Sequence, residues 1–232
     1  MKIVVIDTET TGLDKMNDEP VSIAMIDGEG IIILDTLVKP LMKRSWEGAQ
    51  RIHGISPEDV EDAPYMVELR PTIEKAIGEA DLVVGYNLQF DLGMLNQAVE
   101  PSKQFDVMRE FAKVHGQVRD DGSRKWSKLA ECAAHYGYGF QPHGALGDCK
   151  ATLHCYNALM RDKEYLAFEK KRKRGANMGA VGYCLKTALG LILAFGGIAT
   201  LVLSFTHLLD GAMLAWIIAS LLMMVTGYLL IR

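Results

Sequence analysis

The residues of this chain best suited to chemistry are acids at the ends of predicted elements. Asp7 and Glu9 follow Ile3-Val4-Val5-Ile6, four β-prone apolar residues that read as a buried strand. On a strand, positions i and i+2 share a face, so the two carboxylates stand side by side. Adjacent anions repel, and a shared divalent cation with its preference for hard oxygen ligands relieves that repulsion. Asp91 falls at the start of a predicted helix, within Asn87-Leu88-Gln89-Phe90-Asp91. Asp148 falls in the first turn of another, five residues after His143. A lone Asp in such a place is an ordinary helix-start acid, favoured by the helix dipole. Their combination in this order sets these four acids apart.

The scaffold that must position them is legible in outline. Thr10-Thr11-Gly12 predicts a turn. Residues 20–27 and 30–39 are β-prone and flank Asp27-Gly28-Glu29-Gly30, a hairpin signal, so the first three strands form an antiparallel meander. Ser56-Pro57-Glu58 predicts a helix start, with the helix running to about Glu79 and interrupted near Pro71. Residues 81–86 predict a further buried strand, and 90–100 a helix directly after it. More helices are expected over 106–115, over 128–136 with Ser127 as cap, and over 145–160. A polar loop (116–125) and a glycine-punctuated loop (137–144) separate them. A meander followed by alternating strands and helices argues for an α/β sandwich on a mixed sheet.

Three blocks of this sequence resemble the DEDDh group of 3′–5′ exonucleases, relatives of polymerase proofreading subunits: Ile6-Asp7-Thr8-Glu9-Thr10-Thr11-Gly12-Leu13, then Asn87-x-x-Phe90-Asp91, then His143-x-Ala145-x-x-Asp148. The resemblance covers about residues 1–161, and within the group the compact domain and Ala145-Leu146-Gly147-Asp148-Cys149 look similar to the exodeoxyribonuclease X branch. It implies a ribonuclease-H-like fold and two divalent ions, Mg²⁺ or Mn²⁺. Asp7, Glu9, Asp91 and Asp148 would be metal ligands and His143 the general base. The chemistry suits those types: two ions about 3.5–4 Å apart stabilise both the attacking and the leaving oxygen. Histidine titrates closest to neutrality and can take the proton of the attacking water.

The resemblance also implies that Thr10, Gly12 and Leu13 line the pocket of the terminal nucleotide. Ile52-His53-Gly54-Ile55 resembles a segment that packs on the terminal base, which makes His53 and Ile55 substrate contacts, and Asn87 is assigned the same role. A helix end with a glycine cap is the plainer reading of 52–55. Residues 109–128 hold six basic side chains against three acids, with Trp126 among them, and can track a phosphate backbone and stack a base, or be a solvated loop. Ser22 stands where many family members carry an acid on the second strand. The implied substrate is nucleic acid with a free 3′ end, single-stranded DNA preferred. RNA trimming is the alternative, because no residue clearly reads a 2′-hydroxyl. A non-catalytic membrane adaptor is the other, disfavoured because all five site residues are present.

Composition divides the chain. Residues 1–161 carry 17 basic against 25 acidic residues, and 162–232 carry 8 against 4. Residues 187–205 and 212–231 are uncharged runs of 19 and 20 residues. At 1.5 Å per residue each spans about 30 Å, the thickness of a bilayer core. The expected organisation is an exonuclease domain (1–161), a basic juxtamembrane linker (162–182) and a transmembrane hairpin (183–232). Lys170-Lys171-Arg172-Lys173-Arg174 ahead of the first span and Arg232 after the second predict that both ends face the cytoplasm. The first apolar run is too short for a signal peptide, so the expected location is the bacterial inner membrane, multi-pass, with the nuclease inside. Gly211, Ala215 and Ala219, like Gly190 and Ala194, recur at four-residue spacing and favour close helix packing, within the hairpin or by self-association. The four cysteines form no CxxC pair, and Cys132-x-x-His135 with His154-Cys155 matches no standard zinc spacing.

Overall fold

β1 (Ile3–Thr10) is the spine of the fold. Val4, Val5 and Ile6 are all buried although they alternate in direction, so the strand is apolar on both faces, as a central strand must be. β2 (Pro20–Asp27) pairs antiparallel with β1, and β3 (Ile32–Leu37) antiparallel with β2. β4 (Leu82–Gly85) runs parallel to β1, and β5 (Gln104–Asp106) parallel to β4, giving the order β3-β2-β1-β4-β5. The hairpin forms at Asp27, whose carboxylate accepts the N–H groups of Glu29 and Ile31 at 2.9 and 2.8 Å while Gly30 takes φ 86°.

Helices cover both faces. α2 (Met66–Glu79) and α3 (Leu88–Met94) pack against Val4, Ile6, Ile23 and Val83. α4 (Val107–His115), α5 (Leu129–His135) and α6 (Ala145–Leu159) pack against Val5, Ala24, Ile26 and Val84. Each fully buried aliphatic side chain, such as Ile6, Ile23 or Ile73, contributes roughly 1.5–3 kcal/mol relative to exposure. α1 (Glu47–His53) borders a smaller cluster of Val21, Trp46 and Val60.

The mixed sheet flanked by helices is the expected α/β fold, with local corrections. α2 runs through Pro71 without interruption. The proline removes one backbone donor, and burial of Ile73 and Ile77 holds the helix together. Residues 57–62 are turns rather than the first part of that helix. α3 stops at Met94 because Asn96 takes φ 51° and closes a Schellman motif, Gln97 N–H to Leu92 O and Asn96 N–H to Gly93 O. α5 is capped at Lys128, whose N–H meets Glu131 Oε2 at 3.0 Å; the Ser127 carbonyl instead accepts the Tyr86 hydroxyl. α1 ends in the glycine cap that is the plainer reading of 52–55, with Gly54 at φ 78°, and the three-residue β5 is an addition.

The computed structural model describes residues 1–176, Lys186, Thr187, Leu189, Leu191, Ala219, 221–226 and Tyr228. The chain divides into two compact units, Met1–Leu166 and Ala167–Arg232. The first reaches past residue 161 because Tyr165 is buried and its hydroxyl donates to Glu110 at 2.9 Å. Residues 163–176 are helical. The expected transmembrane hairpin lies, apart from a few positions, outside the described residues, and among the described residues no helix is long and apolar enough to cross a membrane.

Candidate active site

The site arises because β1 outruns its neighbour. Pairing with β4 ends at Val5↔Val84, whereas pairing with β2 continues through Asp7↔Ala24 and Glu9↔Ser22. The β4 side of Asp7–Glu9 is therefore open to other groups. β4 ends at Gly85, where an added Cβ would stand 3.1 Å from the Leu88 Cα, so glycine lets the chain turn at once into α3. Asn87 completes the turn at φ 68°. One turn into α3, Asp91 is buried and accepts the Thr8 hydroxyl at 2.8 Å.

Strand alternation sends Thr8 to the α3 face and Asp7 and Glu9 to the α6 face. There Asp148 occupies the first turn of α6, which is anchored by the Cys149 Sγ, 3.3 Å from Ala24 O and 3.7 Å from Val5 O. Asp148 Oδ2 accepts the backbone N–H of His143 at 3.4 Å, and its buried Oδ1 has no hydrogen-bond partner among the described residues. His143 is exposed and holds φ 70°, a left-handed conformation rare for side-chain-bearing residues. Ligand atoms of Glu9, His143 and Asp148 lie within 4.8 Å of one another.

The electrostatics are those of crowded anions. Burial, followed by the charges of Asp91, Asp148 and Glu9, pushes Asp7 well above the usual carboxylate range. Burial and the charges of Asp148 and Asp91 push Glu9 up to about 7. Burial also raises Asp91, against the opposing hydrogen bond from Thr8, and raises Asp148, against the backbone N–H of His143. The free oxygen of Asp148 and the mutual repulsion fit a divalent cation, and an all-carboxylate set suits Mg²⁺ or Mn²⁺ better than zinc.

The proposed substrate contacts are more scattered. Thr10 is buried and donates to Gly12 O at 2.6 Å, and a Cβ on Gly12 would overlap the Asp18 carboxylate. Leu13 is 84% exposed, an apolar side chain left open at the turn after β1. His53 Nδ1 accepts the Ile55 N–H at 3.0 Å, so its Nε2 carries the proton and donates to Thr10 O at 3.2 Å. Burial lowers the His53 pKa, and the nearby charge of His143 lowers it further. Ile55 packs toward Val21, Trp46 and Val60 instead, and Asn87 is exposed at the start of α3.

Three residues not singled out in the sequence belong to this neighbourhood. Thr8 bonds Asp91, and its position between two acids on the opposite strand face was the available signal. Asp18 receives the Thr11 hydroxyl, the Asp14 N–H and Lys43, fixing the turn after β1. Asp106 accepts the Asn87 N–H at 3.2 Å and meets Arg109 Nε at 3.4 Å.

Comparison with known proteins agrees with this geometry. Residues 4–156 match the family model described as RNase_T: Exonuclease. An uncharacterized exonuclease, CP81, of Escherichia phage 186 is 33% identical over 173 residues, covering 68% of this chain and 88% of the relative. Among solved structures, "Exonuclease X in complex with 5' overhanging duplex DNA" aligns with TM-score 0.52 and 25% identity over 68% of this chain and 91% of that one. "Exonuclease I (apo)" aligns with TM-score 0.58 and 18% identity, covering 77% of this chain. This chain spans 46% of that one, so the likeness to it is one of fold. The chain belongs to the exonuclease family. It is a 3′–5′ exonuclease, a phosphodiester hydrolase acting on nucleic acid, and its family depends on divalent metal.

Proposed function

We propose that the chain is a membrane-anchored exodeoxyribonuclease that releases nucleoside monophosphates from the 3′ ends of single-stranded DNA. The observation that carries the chemistry is the approach of four carboxylates from β1, α3 and α6 to one strand end, where Asp7 feels the charges of the other three. Asp7, Glu9, Asp91 and Asp148 would hold two ions, Mg²⁺ or Mn²⁺. When bound, these supply positive charge where the phosphodiester gains negative charge. Thr8 keeps the Asp91 carboxylate oriented. His143, in its exposed left-handed turn, takes the proton of the attacking water, and Glu9 and Asp148 stabilise the imidazolium that forms. Leu13 and His53 border the terminal nucleotide. Arg109 and Trp126 extend the surface for the strand: the guanidinium lies 5.8 Å over an indole that is 56% exposed.

Support for the anchor comes from the second unit. Leu189, Leu191, Leu221, Leu222 and Val225 are helical and exposed, and the Thr226 hydroxyl donates back to Leu222 O and Met223 O, as hydroxyls do inside apolar helices. With the basic run 170–174, this favours a hairpin in the inner membrane with the nuclease on the cytoplasmic side.

Digestion of 3′- and 5′-labelled DNA and RNA oligonucleotides, with Mg²⁺ or Mn²⁺, tests the activity. The expected result is mononucleotide release from 3′ ends, faster on single-stranded DNA than on RNA. Asp7→Ala and Asp91→Ala should abolish it while leaving the circular dichroism spectrum unchanged. Full activity in either variant removes the proposed site, and equal or faster cutting of RNA assigns the enzyme to RNA.

A further inference from the structure

A second group of side chains with metal-ligand chemistry lies away from the carboxylates. His115 ends α4, His135 ends α5, and Asp162 lies in the turn after α6. One ligand atom from each lies within 4.8 Å of the other two. α4 begins beside the active site at Asp106, and its nine residues carry His115 about 12 Å along the helix axis. The two clusters share no residue.

We infer that His115, His135 and Asp162 form a second metal centre, one that takes a zinc-class transition-metal ion rather than the oxygen-seeking Mg²⁺. Two imidazoles and one carboxylate are a donor set that zinc uses with its fourth position open, whereas Mg²⁺ takes oxygen ligands almost exclusively. His115 Nε2 stands 2.7 Å from Asp162 Oδ2, and the two imidazole rings lie 4.3 Å apart, centroid to centroid. His115 and Asp162 are largely buried, with side chains 13% and 11% exposed. His135 faces solvent, and its ring nitrogens make no hydrogen bond among the described residues.

The surroundings hold these groups in place. The Tyr136 hydroxyl donates to Asp162 Oδ2 at 2.9 Å, and the N–H groups of Glu164 and Tyr165 donate to its Oδ1. Phe111 packs against both imidazoles, with ring centroids at 4.9 and 5.2 Å. Zinc–ligand bonds of about 2.0–2.2 Å put tetrahedral ligand atoms roughly 3.3 Å apart. The observed separations, 2.7 Å between His115 Nε2 and Asp162 Oδ2 and no more than 4.8 Å between any two of the three ligand atoms, bracket that value. On binding through Nε2, the His115 proton moves to Nδ1, which faces Glu164 Oε2 at 3.9 Å, the carboxylate partner that metal-bound histidines generally have. The bound ion would staple the ends of α4 and α5 to the residue from which the 163–176 helix starts.

The test is a Zn²⁺ titration of the detergent-solubilised full chain, stripped of metal and then held in excess Mg²⁺ to fill the carboxylate site. Isothermal calorimetry gives the stoichiometry, and Co²⁺ substitution with its visible absorption gives the ligand geometry. The expected result is one Zn²⁺ per chain in the wild type and in Asp91→Asn, and at least a tenfold loss of affinity in His135→Gln. His135 is exposed, so that variant should keep its circular dichroism spectrum and Mg²⁺-dependent exonuclease activity. No zinc bound by the wild type, or unchanged binding in His135→Gln, overturns the inference. Binding that disappears in Asp91→Asn assigns the ion to the carboxylates and overturns it equally.

Discussion

The Thr8 hydroxyl is the smallest group on which the proposed chemistry turns. Asp91 is buried, and beside the backbone N–H groups of Thr8 and Asp91 the Thr8 hydroxyl is the side-chain group whose bond holds its carboxylate. Thr8→Val keeps the shape and removes that bond. Metal affinity or activity should fall by about 10- to 100-fold, measured as a rise in the Mg²⁺ concentration for half-maximal rate. The raised acids give a second expectation. In metal-free protein, Glu9 titrates near 7 and Asp7, Asp91 and Asp148 are raised as well. A carboxyl raised on folding binds more protons in the native state than in the unfolded one, so stability falls with pH across that interval. Thermal melts in chelator should show the melting temperature dropping as pH rises from about 4 to about 7, the interval between ordinary carboxyl pKa values and that of Glu9. Mg²⁺ should restore stability most at the upper end. A metal-free melting temperature that climbs over this interval would contradict the crowded-anion picture.

At the scale of elements, the mismatch in length between β1 and β4 creates the site. A β4 as long as β1 would pair with Asp7–Glu9 and close the gap into which α3 delivers Asp91. β5 and α4 extend the same edge outward. Asp106 ends β5, holds the Asn87 N–H and pairs with Arg109, whose guanidinium covers Trp126. This chain of contacts runs from the start of α3 to an exposed indole, a path suited to a strand leaving the site. Stacking of a base on an aromatic side chain is worth about 1–3 kcal/mol. Trp126→Ala should therefore raise KM for single-stranded oligonucleotides by about 5- to 100-fold with kcat little changed. An unaltered KM would show that the strand leaves by another route.

Along the whole molecule, an acidic stretch (1–161) is followed by a basic segment and an apolar tail. In sealed spheroplasts, external protease should leave the nuclease unit intact, and digestion only after lysis is the expected pattern. Truncation after residue 176 should move the protein from the membrane to the soluble fraction with its exonuclease activity retained. A truncated chain that still pellets with membranes would remove the anchor from the tail. Ser22, opposite Glu9 in the β1–β2 register, bears on the charge balance of the nuclease unit. An acid there would add another anion to the crowded strand end, whereas the serine adds none.

Much of this protein could be read from local sequence. The strand ahead of Asp7, the hairpin at Asp27 and the start of α6 before Asp148 all follow from interactions between near neighbours in the chain. The continuity of α2 through Pro71 and the early stop of α3 did not follow. The first depends on burial of Ile73 and Ile77 against the sheet, and the second on an αL turn at Asn96 that no composition rule singles out. The types of the site acids were plain from sequence, because a carboxylate is a cation ligand wherever it stands. Only the tertiary structure decided that Thr8 serves Asp91, that Ile55 belongs to a hydrophobic cluster, and that His135 meets His115 and Asp162 rather than a cysteine. Thr8 and Asp91 are 83 positions apart, and His135 lies 20 positions from His115 and 27 from Asp162, separations that only the packing of helices on the sheet can close.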